Sequence, residues 1–411
     1  MRGSLAAQLI SFLALLVLAR LYSPQHFGVA QAMMSVLTVL LIASSLRLEI
    51  ALVTTPEPLF MDVFRCAWWL CIATSMLALL VVLPLVAVRA DWSLAQRVGL
   101  LLLPMVGLFA GWNQMLSYVA LRRQLFSTSS NAKIVQAAAY SAGALLLGVA
   151  RPSSTSLLLA ETLGRGAAVV YTGRGVGICR AQLAPPSPTL LRSVLRRHRE
   201  LVTTGLFAAM INTASSAFTV AMLLWLFTAD DAGQFAMIER LVGMPIALLV
   251  GAYSQVFMVQ LSASLATDST TNPSQTLRRL LRIQAMTAGP LLLALLFVAP
   301  QMLLYLLGPD WRRASEFLMP LALLYVGAYI VGPFNMALSI AGKQRLQLLS
   351  DSLRFAAMAL MWLVAWLLKL NVQQTLWLYA IVSVGCLFSY LAIADMALKR
   401  IVAASTELRP R

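Results

Sequence analysis

Apolar residues along this chain gather into twelve runs, near residues 4-20, 29-53, 66-88, 98-120, 132-150, 157-173, 201-227, 234-260, 281-306, 314-341, 350-368 and 374-397. A helix needs roughly 20 apolar residues to cross the hydrocarbon core of a bilayer, and most of these runs are that long. The pattern predicts an all-α integral membrane protein of about twelve transmembrane helices. Between the first two runs, Ser23-Pro24 stops one helix and Gly28 opens the next. The first run lacks the basic start, brief apolar core and small-residue site of a cleavable signal, so it is read as a true span.

The second run breaks the apolar pattern with two charges, Arg47 and Glu49, the only ones between Val29 and Val53. Such a charge costs about 2.5 to 3.5 kcal/mol at the bilayer centre on insertion scales, and a retained one faces a cavity or a partner. The chain therefore has the marks of a transporter. Taken as one helix, residues two apart lie about 200° around the axis, so these two cannot pair as i,i+4 neighbours do. Either they face a cavity, or they snorkel to the cytoplasmic interface. The same choice applies to Glu239 and Arg240, early in the eighth run. Glu161 and Arg165 are four apart with the acid first, which predicts an intrahelical, structural pair.

Composition agrees with a membrane class: 60% of residues are hydrophobic, 11% are charged, and mean hydropathy is +0.82. A net charge of +16 would point to nucleic acid in a soluble protein. In a membrane protein it reports orientation instead. With the N-terminus inside, twenty-one basic residues fall on the cytoplasmic side, among them Arg180, Arg192, Arg196, Arg197, Arg199, Arg409 and Arg411. Seven, including Arg89, Arg312 and Arg313, fall opposite, which places both termini in the cytoplasm. Cys66, Cys71, Cys179 and Cys386 lack metal-ligand spacing and only His26 and His198 could join them, so no metal site or cofactor is expected.

The two halves repeat. Leu21-Tyr22-Ser23 with Gly28 matches Leu226-Phe227-Thr228 with Gly233, Asp91-Trp92 with Ala95 matches Asp310-Trp311 with Ala314, and Arg123-Gln124 matches Lys343-Gln344, at offsets of 205 to 220 residues. Six spans per half preserve direction, so the halves are expected to be lobes related by a pseudo-two-fold along the membrane normal. The expected boundaries are 1-173 for the N-lobe, 174-200 for a basic cytoplasmic linker and 201-411 for the C-lobe. At the junction with the linker, Gly173, Gly175 and Gly177 close a helix rather than forming a nucleotide loop, because no strand precedes them. Pro185, Pro186 and Pro188 stiffen the middle of the linker, and residues 191-199 form a basic amphipathic stretch expected to lie against the anionic inner leaflet.

RLYSPQHFG at 20-28, SLRLEIALV at 45-53, AGQFAMIERLVGMPIALLVGAYSQVF at 232-257, GPDWRRASEFLMPLALLYVGAYIVGPFNMAL at 308-338 and GKQRLQLL at 342-349 resemble, in order and spacing, the bacterial polysaccharide flippases of the Wzx type. That family belongs to the multidrug/oligosaccharidyl-lipid/polysaccharide (MOP) exporter superfamily. The N-terminus is shorter than the family pattern. The resemblance implies a MATE-like fold of two six-helix lobes in a V, with a cavity lined chiefly by the first two helices of each. It also implies transfer of a lipid-linked oligosaccharide from the inner to the outer leaflet of the bacterial inner membrane, not enzymatic turnover, with membrane lipids and other polysaccharide assembly proteins as partners and no nucleic acid.

The chemistry of an undecaprenyl diphosphate head group asks for fixed cations, and arginine donates two parallel hydrogen bonds to phosphate while staying charged. The candidate substrate residues are Arg47, Arg240, Asn212 and Gln8, with Ser215 and Ser216 beside Asn212; polar side chains in spans also serve as helix-helix glue. Glu49 and Glu239 are the candidate ion-coupling acids, for protons or sodium. No Walker A pattern occurs, which leaves an ion or substrate gradient as the energy source. A multidrug antiporter of the same superfamily would favour an acid-dominated lumen. A membrane glycosyltransferase or polymerase would need a longer outer loop than any here.

Overall fold

The computed structural model describes residues 2-88, 94-178, 183-264 and 273-407, all helices, turns and short connections with no strand among the described residues. Arg89, Asp91, Trp92, Cys179, Arg180, Arg409 and Arg411 lie outside them, as do the side chains of Ser215 and Ser216. Contacts divide the chain into two compact units, Met1–Gly233 and Gln234–Arg411.

In the first unit the order is α1 (Arg2–Leu21), α2 (Pro24–Ser44), α3 (Leu48–Thr54), α4 (Glu57–Val88), α5 (Leu94–Arg122), α6 (Phe126–Ala150), α7 (Ser154–Val176), α8 (Pro188–Arg197) and α9 (Leu206–Leu226), with α10 (Ala229–Ile238) beginning at its end. The second unit continues through α11 (Met244–Ser264), α12 (Pro273–Leu293), α13 (Ala299–Leu307), α14 (Arg312–Val331), α15 (Ala337–Ile340), α16 (Gln344–Leu367) and α17 (Val372–Glu407). Short π-helical turns join α10 to α11 and α12 to α13, so each pair runs as one segment. Helices therefore stand at all twelve apolar runs. Among the described residues nine segments are long and apolar enough to span a membrane unaided, and a bent pair, Leu201–Ala214 with Ala217–Leu226, makes a tenth. The first apolar helix is shorter, and α7 carries Glu161 and Arg165, whose side chains pair at 2.7 Å as their spacing predicts.

The expectation of one unbroken second span is corrected. Helix α2 ends at Ser44, Leu46 and Arg47 adopt left-handed backbone at φ 51 and 63, and α3 starts afresh at Leu48. The break is held from outside the segment. The Thr74 hydroxyl lies within hydrogen-bond reach of the Ser44 carbonyl at 3.1 Å and of the Leu70 carbonyl in its own helix at 2.9 Å, and the Ser44 hydroxyl turns back to the Leu41 carbonyl at 2.7 Å. A Cβ on Gly111 would lie 2.9 Å from Ser44 Oγ, so this glycine admits the end of α2 against α5. Helices kink at such points, where a side chain inserts into the backbone ladder.

The repeat recurs as geometry. After α5, Gln124 is left-handed and the Leu125 amide closes on the Ala120 carbonyl at 2.8 Å; after α15, Gly342 is left-handed and the Lys343 amide closes on Leu338 at 2.8 Å. Both are helix ends closed by a hydrogen bond spanning five residues, the Schellman arrangement. The matching turn residues are thus Gln124 and Gly342, two positions away from the sequence alignment. In the second unit, Trp311 of the other repeated motif is fully buried, and the buried Gln234 amide donates to the Asp310 carbonyl at 2.8 Å while accepting from the Ala314 amide at 3.0 Å. That bridge ties α10 to the start of α14.

The amphipathic stretch of the linker forms helix α8. Its apolar side, Leu190, Leu191, Val194 and Leu195, packs onto a protein core of α3, α4 and α5 that includes Leu52, Phe60, Phe64 and Met115. The membrane is not needed to cover that side.

Candidate substrate site

Both charged residues of the second span stand at its break. Glu49 is 3% exposed in α3, and each of its carboxylate oxygens accepts from a neutral donor: the Ser45 hydroxyl on one, the Gln114 amide at 3.2 Å on the other. Ser45 stands just before the break and Gln114 on α5. Glu49 therefore spends its acceptors without neutralising Arg47. The Arg47 Nε is buried and without a hydrogen-bond partner, and no carboxylate among the described residues forms an ion pair with the side chain. A half-buried cation with an unpartnered Nε and no such ion pair favours an anion that reaches its guanidinium. Its left-handed backbone, roughly 1 to 2 kcal/mol unfavourable for a residue with a Cβ, marks a position held by surrounding structure.

At the far end of α3, Arg122 acts as a clamp. Its guanidinium donates to the carbonyls of Leu52 (2.7 Å) and Thr55, reaches Glu57 at 2.6 Å, and lies 4.7 Å from the Phe60 ring centre. The carbonyl bonds satisfy helix-end acceptors that α3 cannot bond itself. Glu57 is 77% exposed, so its ion pair contributes little. Hence Arg122→Ala should destabilise the folded protein by about 2 kcal/mol, the scale of hydrogen bonds from a charged donor, whereas Glu57→Gln should shift it by less than about 0.5 kcal/mol. Thermal unfolding of both variants checks the contrast.

In the second unit, the partly buried Glu239 and Arg240 open a π-helical turn, Glu239–Gly243, between α10 and α11. Tyr325 of α14 donates its hydroxyl to Glu239 at 2.8 Å, and a Cβ on Gly243 would lie 3.2 Å from the Glu239 carboxylate. A π turn displaces the side chains beyond it, and such turns recur at functional sites. Each unit thus presents an acid held by neutral hydrogen-bond donors with an arginine beside it in the chain. Gln8 on α1 and Asn212 on α9 are exposed. Sequence reasoning missed Ser45, Gln114, Arg122 and Tyr325; Gln114 stands beside Asn113 as a polar pair within the apolar run of α5, a local signal for a polar contact.

This is the fold of MOP-superfamily transporters. It is similar to a multidrug resistance MATE family transporter in the inward-facing conformation (TM-score 0.67, 10% identity, covering 99% of this chain and 96% of that one). It is similar also to the lipid II flippase MurJ in an inward closed conformation (TM-score 0.69, 11% identity, 98% and 90%), and to a MOP-superfamily transporter from Pyrococcus furiosus (TM-score 0.51, 10% identity, 97% and 94%). The chain itself belongs to the polysaccharide biosynthesis protein family, whose model matches residues 17–316. No curated protein matches the sequence.

Proposed function

We propose that this protein flips an oligosaccharide linked to undecaprenyl diphosphate from the inner to the outer leaflet of the bacterial inner membrane, by alternating access, for surface polysaccharide synthesis. The observation that carries the reading is Arg47: a cation inside a broken span, with its Nε buried and unpartnered while the adjacent acid is satisfied by neutral groups. Such a group recognises an anionic head group and repels the cationic drugs that a multidrug antiporter would carry. Family membership supplies the polysaccharide context, and the lipid II flippase with a similar fold is a transporter of a lipid-linked substrate.

Arg240 is proposed as the corresponding cation of the second unit. Gln8 and Asn212, exposed on their helices, are proposed to meet the sugars. Glu49 and Glu239 are proposed to exchange a proton or sodium ion as their neutral donors let go. Deleting the gene and locating the lipid-linked sugars tests the function. Intermediates trapped on the cytoplasmic face, with surface glycan lost, are the expected result; normal glycan with altered drug tolerance would sink the proposal.

A further inference from the structure

Four arginines, Arg192, Arg196, Arg197 and Arg199, stand exposed on and just after α8, and none serves the proposed substrate site. Their platform is fixed. The apolar side of α8 is packed into the core, with Val194 only 6% exposed. The Ser187 hydroxyl caps the helix by accepting from the Leu190 amide at 3.2 Å, and the Trp69 indole of α4 holds the preceding linker by donating to the Leu183 carbonyl at 2.9 Å. Arginines on a fixed base lose less conformational freedom on binding than those on a free loop.

Where α8 ends, Arg197, His198, Arg199, Glu200 and Leu201 line an open hollow of about 360 Å³. Leu201 packs against the core and forms its apolar side. The His198 Nε2 is buried without a hydrogen-bond partner. Burial, and then the neighbouring Arg197, holds this imidazole below its ordinary pKa, so it is neutral near pH 7. A hollow with two guanidinium forks and an apolar side suits a phosphate group with an apolar continuation; the one acid on its rim, Glu200, is outnumbered.

We propose that this elbow binds the phosphate of an anionic phospholipid head group, with Arg197 and Arg199 as the principal donors, and Arg192 and Arg196 attracting the surrounding leaflet. The positive-inside count puts the elbow on the cytoplasmic side, where anionic lipid attracts basic segments. Bound lipid would anchor the chain at the point where the linker passes into α9. The inference does not rest on the flippase reading, and its test needs no transport.

The full-length protein in detergent is titrated with phosphatidylglycerol, with phosphatidylcholine and with inorganic phosphate, reading the unfolding midpoint and the lipid retained in native mass spectrometry. Phosphatidylglycerol should raise the midpoint and be retained in preference to phosphatidylcholine. Arg197→Gln with Arg199→Gln should weaken that preference roughly thirtyfold, the scale for two basic groups at an anionic surface. Arg312→Gln, remote in sequence, should leave it intact. If the double variant does not fold, Arg197→Lys with Arg199→Lys keeps the charge, loses the forks, and should show a smaller but distinct loss. Equal response to the two lipids overturns the proposal, as does an unchanged preference in both double variants. Stabilisation by inorganic phosphate with no further gain from phosphatidylglycerol also overturns it, leaving a site for free anions.

Discussion

Gly28→Ala is expected to wedge apart the start of α2 and the start of α10, lowering the unfolding midpoint and abolishing surface glycan output. A Cβ on Gly28 would stand 2.0 Å from the Ala229 carbonyl oxygen and 2.7 Å from the Gly233 nitrogen; one on Gly233 would stand 1.8 Å from the Pro24 carbonyl oxygen. The contact is reciprocal. Pro24 and Gly28 are one helical turn apart, Ala229 and Gly233 likewise, and both partners are related by the same 205-residue offset of the repeat. Small residues four apart let two backbones approach closely enough for Cα–H to meet carbonyl oxygen, at roughly 3.3 Å between heavy atoms. Restoring that distance around an added methyl needs a shift of more than about 1 Å, and overpacking of this kind costs about 1 to 3 kcal/mol or more. Because the two glycines share one crossing, the double alanine variant should be less damaging than the sum of the single ones. Gly251 provides the control. A Cβ there meets nothing within 4 Å, so Gly251→Ala should be neutral or stabilise by about 0.5 to 1 kcal/mol. If Gly28→Ala and Gly251→Ala behave alike in thermal unfolding and glycan output, the crossing has no such role.

The same pair of glycines shows what the sequence could and could not convey. Their recurrence after similar tripeptides marked the repeat, and the apolar runs located the helices, because both signals are local. That Gly28 and Gly233 lie against each other is not local, and nothing in either segment states it. The break in the second span was hidden for a related reason. No glycine, proline or asparagine marks residues 45-47; Thr74 and Gly111, distant in the chain, secure the end of α2. Ser45 is four residues from Glu49, but the other partners of the two acids lie 65 and 86 residues away, so Gln114 and Tyr325 could be read as polar residues in spans but not as hydrogen-bond partners of Glu49 and Glu239. For α8, amphipathicity was legible and its direction was not, since a lipid surface and a protein core ask for the same apolar stripe.

Arg47, proposed to hold the substrate, carries the last expected result. If its guanidinium receives a diphosphate that has left the head-group layer, lysine keeps the charge and loses the two-pronged geometry, while alanine loses both. Surface glycan should then fall in a graded series: Arg47→Lys partly active, Arg47→Ala nearly inactive, with membrane abundance unchanged. Losing a charge-assisted hydrogen bond pair on this scale, about 2 to 3 kcal/mol, corresponds to a loss of roughly thirtyfold to more than a hundredfold. An arginine that merely snorkels to the interface predicts otherwise, because lysine reaches the head groups as readily and would behave like the parent protein. The backbone supplies a further discriminating variant. At φ 63 the site favours glycine, so Arg47→Gly should unfold at a temperature no lower than Arg47→Ala while remaining as inactive. A folding defect would separate the two variants by their stability; a lost anion contact would not separate them by activity. Normal glycan output from Arg47→Ala and Arg47→Gly would end the claim that this arginine holds the substrate.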